Sequence, residues 1–203
     1  MFTTYLATIA RQNGLDRNGP VTWFFYDGML FSSPAKWWGD FKIRASVHEG
    51  VDITYYTSGP HGAAAGSPDG TKECKPVCTQ GPFGIRQFDP SIRVPAFEAG
   101  RIINICRDFL GQTLVVEQPA PASGFRVIFA YAHINPSHGL EPGMQIQKDQ
   151  CIATVCDTAR NPLLPPHLHF SCFEVPRSVP VENLNWDLFS KPGQIRMVNP
   201  AWL

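Results

Sequence analysis

Two groups of metal-ligand residues that lie far apart in the sequence restrict the fold this chain can adopt. His48 and Asp52 form a His-x-x-x-Asp motif, whereas His167 and His169 are two positions apart near the other end of the chain. Side chains at i and i+2 of an extended strand project from the same face, so both imidazoles can reach one point. Two imidazoles and one carboxylate leave the fourth position of a tetrahedral zinc ion open for water, which is typical of a catalytic site. The sequence therefore predicts a scaffold that brings both segments to one metal ion.

The composition favours a single, turn-rich, mainly β domain in which helix is the minor element. The 203 residues include 19 prolines, 17 glycines and 14 phenylalanines, and long stretches of helical period are few. The 17 basic and 17 acidic residues cancel and no basic run stands out, so no nucleic acid is expected as a partner. No window approaches the ~18 consecutive apolar residues of a membrane span, so none is predicted.

The chain is expected to comprise an N-terminal segment, residues 1–40, packed on a domain that spans residues 41–203. Four apolar residues with helical spacing predict a short amphipathic helix at the start: Phe2, Tyr5, Leu6 and Ile9. No basic residues precede this stretch, so no signal peptide is evident. The segment is rich in aromatic residues, namely Trp23, Phe24, Phe25, Tyr26, Trp37 and Trp38. These are expected to pack on the flank of the domain, with a carbohydrate-stacking surface as the alternative.

Alternation with a period of two predicts strands through most of the domain. Apolar residues alternate over 41–47 and again over 51–55, where Asp52 faces away from its apolar neighbours toward a groove. Further strands are predicted over residues 100–105, 113–117, 125–133, 144–146 and 151–155 and through His167 and His169, with a short helix over 183–190. Parity along the strand over 125–133 places Tyr131 and His133 on one face.

Residues 57–93 form a long insertion in which glycine and proline interrupt every period. Because a loop of this length in a compact domain is usually functional or disordered, we expect a wall or lid over the metal ion. His61 within it is expected to be solvated. Cys74 and Cys78 lie in the same loop, where a local disulfide and half of a second metal site both remain open. Most of the other cysteines are expected to be small core residues.

Three ordered motifs resemble the zinc-site motifs of the lysostaphin-type (LytM-like) metalloendopeptidases. They read His-Glu-Gly-Val-Asp from His48, Tyr-Ala-His-Ile from Tyr131 and His-Leu-His-Phe from His167. The resemblance extends through the connecting segments, over residues 41 to 175, and three ordered motifs are far more specific than any one alone. It implies the duplicated hybrid motif fold of that family, an antiparallel β sandwich or open barrel with short peripheral helices.

The resemblance also implies roles for five residues. His48, Asp52 and His169 would be the ligands of one Zn²⁺ per chain, and His133 and His167 would be catalytic. The zinc would lower the pKa of its bound water toward ~7. The two catalytic histidines would orient or deprotonate that water, stabilise the oxyanion and pass a proton to the leaving amine.

The activity implied is that of a zinc-dependent metalloendopeptidase acting on peptidoglycan cross-bridges or stem peptides, or on another small-residue peptide. The family also suggests a periplasmic or extracellular location. Ser171 replaces the glutamate that commonly follows the last motif, and this departure and the insertion at 57–93 leave the substrate open. Tyr131 is expected to pack in the core, with a role as an additional oxyanion donor as the alternative.

The motif residues have two other interpretations. One is a non-catalytic, zinc-bearing binding or regulatory module for a cell-wall peptide or a cell-wall hydrolase. Degenerate members of such families usually lose a ligand or a catalytic histidine, whereas this chain keeps all five positions. The other makes the histidines and cysteines unrelated core residues of a structural β domain. It is disfavoured because two same-face histidines without partners would leave unsatisfied buried nitrogens.

Overall fold

Eleven antiparallel strands dominate the part of the chain that the structure describes. The structure, a computed structural model, describes residues 1–59, 84–119, 124–158, 163–191 and 193–203. Its elements are α1 (Phe2–Gln12), β1 (Val21–Phe24), β2 (Gly50–Ile53), β3 (Tyr55–Ser58), β4 (Arg93–Pro95), β5 (Gly100–Arg107), β6 (Gln112–Glu117), β7 (Phe125–Pro136), β8 (Gln145–Ile146), β9 (Cys151–Val155), β10 (Leu168–Pro176), α2 (Trp186–Phe189) and β11 (Arg196–Val198). Short 3₁₀ helices lie at Asp27–Met29, Val181–Asn183 and Pro200–Trp202. The predicted class, mainly β and antiparallel with short peripheral helices, is confirmed.

Strand β10 pairs with three other strands of a nine-stranded sheet. It pairs with β7 along one side and with β2 and then β11 along the other. Strands β6, β5 and β8 continue the sheet beyond β7, β9 pairs with the end of β7 and with β4, and β1 and β3 form a separate two-stranded sheet. The register sets His169 of β10 between Asp52 of β2 and Ala132 of β7. Asp52 and His169, which come from distant parts of the sequence and can both act as metal ligands, therefore lie side by side on adjacent strands.

Alternation along β10 divides its side chains between two apolar cores. Leu168 and Phe170 belong to the main core, which also contains Tyr131. Phe173 belongs to a smaller core on the opposite face, where its ring stacks on Phe189 of α2 with the centroids 4.5 Å apart. Because residues i and i+4 of a strand share a face, His169 lies on the side of Phe173 and α2 rather than in the main core.

The N-terminal helix closes one side of the main core. The hydroxyl of Tyr5 donates to the carbonyl of Pro95 (3.0 Å), and its ring lies 5.4 Å from that of Phe170. At the start of α1, the amide of Phe2 donates to the carbonyl of Leu203, which joins the two ends of the chain (3.0 Å). The predicted helix is confirmed, and its apolar stripe packs on the sheet because residues three and four apart share one helical face.

The strand predicted over residues 41–47 is wrong. These described residues form only an isolated bridge between Ile43 and Ala35, and both Gly39 and Phe41 have positive φ, which extended strands do not adopt. The segment folds back on residues 33–36 through amide-to-carbonyl bonds that include Arg44 to Pro34 (2.7 Å). The apolar alternation that suggested a strand is largely exposed to solvent and packs on no partner sheet.

Several sequence features lie outside the described residues, namely His61, Cys74, Cys78 and residues 60–83 of the predicted insertion. The described ends of that insertion belong to the body of the fold, where Tyr56 of β3 forms a bridge to Arg86. Among the described cysteines, Cys156 and Cys172 are buried, Cys106 and Cys151 are partly buried, and all four are free thiols. No described helix combines the length and the apolar character needed to cross a membrane.

Replacing Ile9, which is 1% exposed on α1, with alanine is expected to lower the free energy of unfolding by about 2–4 kcal/mol, because it opens a cavity in the main core. Ile43→Ala is the matched control. Ile43 is 78% exposed, so its replacement should change the free energy of unfolding by less than about 0.5 kcal/mol. Urea denaturation measures both values. Equal effects of the two substitutions would contradict the packing of α1 in the main core.

Candidate metal centre

Three side chains converge on one point at the junction of β2 and β10. Asp52 lies directly opposite His169, and His48 lies two residues before the start of β2. His169 Nδ1 is 2.8 Å from Asp52 Oδ1 and 3.1 Å from His48 Nε2, and His48 Nε2 is 3.3 Å from Asp52 Oδ1. All three residues are buried, and they form the candidate cluster for a metal ion among the described residues.

The outer nitrogens of the two cluster imidazoles are held by neutral partners. His48 Nδ1 donates to the carbonyl of Leu30 (3.1 Å), which leaves the lone pair of Nε2 for the cluster. His169 Nε2 lies 2.7 Å from the hydroxyl oxygen of Ser171. A Cβ at Gly50 would lie 2.5 Å from that oxygen and 2.9 Å from His169 Nε2. The glycine of the His-x-Gly-x-Asp motif is therefore needed to let β2 approach the side chains of β10.

The second carboxylate oxygen of Asp52 contacts Trp37 of the N-terminal segment and Arg44. The indole nitrogen Nε1 of Trp37 donates to Asp52 Oδ2 (2.5 Å), and Arg44 Nη2 is 3.9 Å from the same oxygen. Arg44 is itself fixed by donation from Nε to the carbonyl of Ala35 and from Nη2 to that of Gly28, each at 2.9 Å. With Oδ2 bound to the indole, Oδ1 is the oxygen that Asp52 presents to the cluster.

Electrostatics keep the Asp52 carboxylate ionised. Burial by itself would raise the pKa of Asp52, but the nearby imidazoles of His48 and His167 and the hydrogen bond to His169 outweigh it and hold the pKa well below its usual range. The cluster therefore carries the negative charge that a divalent cation would neutralise.

His133 and His167 lie beside the cluster. Their rings pack at 4.8 Å between centroids, and His167 Nε2 is 3.9 Å from Asp52 Oδ1. His167 Nδ1 donates to the carbonyl of Pro165 (2.9 Å). Burial lowers the pKa of His167 to about 3; Asp52 opposes that change and His133 adds to it. The His167 side chain is therefore a neutral imidazole near pH 7.

A β-bulge turns His133 toward the cluster. Between β6 and β7 the register shifts by one residue, so that Gln112 pairs with Ile134 and Leu114 with Tyr131. His133 adopts a positive φ of 62° within the bulge. The predicted shared face of Tyr131 and His133 is therefore wrong. Alternation is broken between them, since His133 faces the metal side whereas Tyr131 is in the main core.

Tyr131 packs in the core as expected, and its alternative role as an oxyanion donor has no support. Its hydroxyl accepts a hydrogen bond from the amide of Phe97 (2.9 Å), and its ring lies 5.1 Å from that of Phe170. Burial raises the pKa of Tyr131, against the lowering effect of the Phe97 amide. The side chain belongs to the scaffold beneath the metal centre.

The cluster opens into a cleft of about 290 Å³ with aromatic walls. Its lining includes Asp52, His133, His167 and His169 together with Trp38, Arg44, Glu49, Asp108, Phe109, Trp186 and Ser190. Trp38 stacks on Phe109 at 6.5 Å, and Trp186 packs edge-on against His169 at 5.5 Å. The cleft is the place where a substrate could reach the cluster.

The sequence predicted all five motif residues as site residues, but it did not predict several of the residues that contact them or line the cleft. Trp37 and Trp38 were expected on the domain flank, whereas Trp37 binds Asp52 and Trp38 lines the cleft. Asp108, Phe109 and Trp186 were not singled out. Asp108 is followed by glycine three positions later, which predicts a turn but gives no sign of contact with a residue 25 positions away.

Trp37→Phe is expected to weaken zinc binding about 10–100-fold, because phenylalanine keeps the ring packing but removes the donor that orients Asp52. Trp23→Phe is the matched control, since Trp23 packs on Tyr56 and Phe88 in the main core. Competition with a chromophoric chelator measures both affinities. Wild-type affinity in Trp37→Phe would contradict a role for the indole in orienting the carboxylate.

Comparison with known proteins agrees with this geometry. Residues 86–181 match the sequence model of Peptidase family M23. The matched range contains His133, His167 and His169 but begins after His48 and Asp52, which the fold brings to His169. No curated protein matches the chain. The family match over residues 86–181 and the His/Asp/His cluster complete one site, so this part of the chain is identified with Peptidase family M23, the family of the LytM and lysostaphin type.

Proposed function

We propose that this protein is a zinc-dependent metalloendopeptidase that hydrolyses peptide bonds in peptidoglycan cross-bridges or stem peptides. The observation that carries the proposal is the convergence of His48, Asp52 and His169 on one point beside a cleft that two further histidines, His133 and His167, also line. The match of residues 86–181 to Peptidase family M23 supports peptide hydrolysis. The peptidoglycan substrate rests on the family resemblance alone.

The cluster has the dimensions and donor types of a zinc site. Bonds of about 2.0–2.1 Å in tetrahedral geometry separate the donor atoms by about 3.3 Å. The three donor atoms are separated by 2.8, 3.1 and 3.3 Å, so only a small expansion would admit the ion. Two imidazole nitrogens and one carboxylate oxygen are typical ligands of catalytic zinc, and we infer one ion per chain.

The chemistry requires an electrophile and groups that move protons. A zinc ion, when bound, would supply Lewis acidity, which lowers the pKa of water toward ~7 and polarises a peptide carbonyl. His167 donates from Nδ1 to Pro165, so its Nε2 lone pair is available to accept a hydrogen bond from the attacking water beside Asp52 and orient it. His133 donates from Nδ1 to Asp108, so its Nε2 can accept a proton from the attacking water and pass it to the leaving amine.

The shape of the cleft supports cleavage within a chain rather than at its end. A second cavity of about 300 Å³ adjoins the cleft, with which it shares Glu49 and Ser190, and its lining also includes Val47 and Met197. A groove that extends beyond the reacting centre can hold peptide on both sides of the scissile bond. An extended peptide of several residues therefore fits this surface better than a single terminal residue.

A peptidoglycan digest analysed by mass spectrometry tests the proposal. Wild-type protein with one equivalent of zinc is expected to release peptide fragments, chelation should abolish the release, and added zinc should restore it. His169→Ala should lower the rate by at least about 10³-fold, since it removes a ligand of the Lewis acid. His138→Ala is the matched control because His138 is exposed and lies outside the cleft.

Undiminished hydrolysis after complete removal of metal would contradict the proposal. One equivalent of bound zinc without cleavage of any peptidoglycan preparation or glycine-rich peptide would also contradict it, and would favour a zinc-bearing binding module.

A further inference from the structure

Asp108 occupies a turn that is built around its carboxylate. The turn connects β5 to β6, and Oδ1 accepts from the amides of Leu110 (2.9 Å) and Gly111 (2.7 Å). Oδ2 accepts from the hydroxyl of Thr113 (2.8 Å). The side chain is 3% exposed, so these contacts fix both oxygens with little exchange with solvent.

The same carboxylate holds His133 by its backbone and by its ring. Oδ2 accepts from the His133 amide (2.9 Å), and His133 Nδ1 lies 3.1 Å from Oδ1. The amide contact secures the bulged, left-handed backbone of His133, and the ring contact sets the angle of the imidazole. Asp108, from the turn between β5 and β6, thus determines where the His133 side chain of β7 points.

We propose that Asp108 is a positioning residue that holds His133 in the tautomer protonated at Nδ1, with Nε2 directed into the cleft; the inference rests on the proposed function. A carboxylate has only acceptor sites, so the nitrogen that it contacts must carry the proton. The opposite tautomer would place two lone-pair acceptors against each other at 3.1 Å.

The charge state of Asp108 agrees with this role. Burial would raise the pKa of Asp108, but the hydrogen bonds and charge of His133 and the Gly111 amide outweigh it and hold the pKa well below its usual range. Asp108 is thus an acceptor throughout the neutral range.

Apart from the contacts within the His48/Asp52/His169 cluster, the partner of His133 differs from those of the other site histidines. His48 and His167 donate from Nδ1 to carbonyls of the backbone, and His169 contacts the hydroxyl of Ser171. His133 contacts a carboxylate, which forms stronger hydrogen bonds and favours any positive charge that the ring acquires. Of the two proposed catalytic histidines, His133 is therefore the one equipped to carry a proton between bonds.

Thr113 links this pair to the opposite wall of the cleft. The Trp186 indole donates to the hydroxyl oxygen of Thr113 (2.7 Å), which in turn donates to Asp108. Trp186 packs against His169, so the network joins the orientation of His133 to the wall beside a metal ligand. A chain of satisfied, buried hydrogen bonds restricts each member to one geometry.

The test measures kinetics and the His133 tautomer in the zinc-loaded protein. Asp108→Asn is expected to lower kcat by about 10²–10⁴-fold with KM changed less than about 3-fold, since the amide no longer enforces the productive tautomer. The zinc stoichiometry should remain one per chain. Asp89→Asn is the matched control: Asp89 caps an exposed turn through the amide of Ser91, so kcat should stay within about 2-fold of wild type.

A double-mutant cycle separates positioning from general damage. If Asp108 acts through His133, adding Asp108→Asn to His133→Gln should lower the residual kcat by less than about 3-fold, because the group being positioned is already absent. Losses that multiply in the double variant, a loss expressed mainly in KM, or loss of zinc from Asp108→Asn would each overturn the inference.

Nitrogen-15 NMR of the histidine rings tests the inference even if no hydrolysis is found. Wild-type His133, assigned by comparison with His133→Gln, should show a protonated Nδ1, and Asp108→Asn should lose that signature. A proton on Nε2 in the wild type, or an unchanged His133 spectrum in Asp108→Asn, would overturn the inference. Absence of peptide cleavage together with the expected spectra would instead contradict the proposed function alone.

Discussion

The pairing of Asp52 with His169 across β2 and β10 is the interaction on which the candidate site depends. It puts a carboxylate oxygen 2.8 Å from an imidazole nitrogen on the face opposite the main core. Because side chains alternate along a strand, a shift of one residue between β2 and β10 would turn Asp52 into the main core. Val51 and Ile53, which are buried there, resist such a shift because it would move both to the polar face.

Burying a carboxylate is costly unless its oxygens accept hydrogen bonds or bind a cation. In this chain, residues that lie outside the range matched by the family help to meet that requirement. Trp37 binds Asp52 Oδ2, and the carbonyl of Leu30 binds His48. The backbone of His48 is also tied to Ser32 and Ser33 by an amide-to-carbonyl bond in each direction. The N-terminal segment thus acts as the outer layer of the candidate metal centre as well as a flank of the fold.

Local periodicity explains how much of the site the sequence could predict. The same-face placement of His167 and His169 and the outward direction of Asp52 depend only on alternation along one strand, and the structure has both. The prediction of a strand over 41–47 is wrong because alternation in the sequence does not determine whether a neighbouring strand is available for pairing. The predicted face of His133 is wrong because a bulge adds one residue to β7. Asp108 was not predicted as a site residue because its partner, His133, lies on a strand outside the β5–β6 hairpin.

Anomalous diffraction at the zinc absorption edge, from crystals of the zinc-loaded protein, would locate the metal ion. We expect one peak per chain, within bonding distance of His48 Nε2, Asp52 Oδ1 and His169 Nδ1, with His133 and His167 beside it but not coordinated. A peak held by other residues, or none at this junction of β2 and β10, would contradict this expectation.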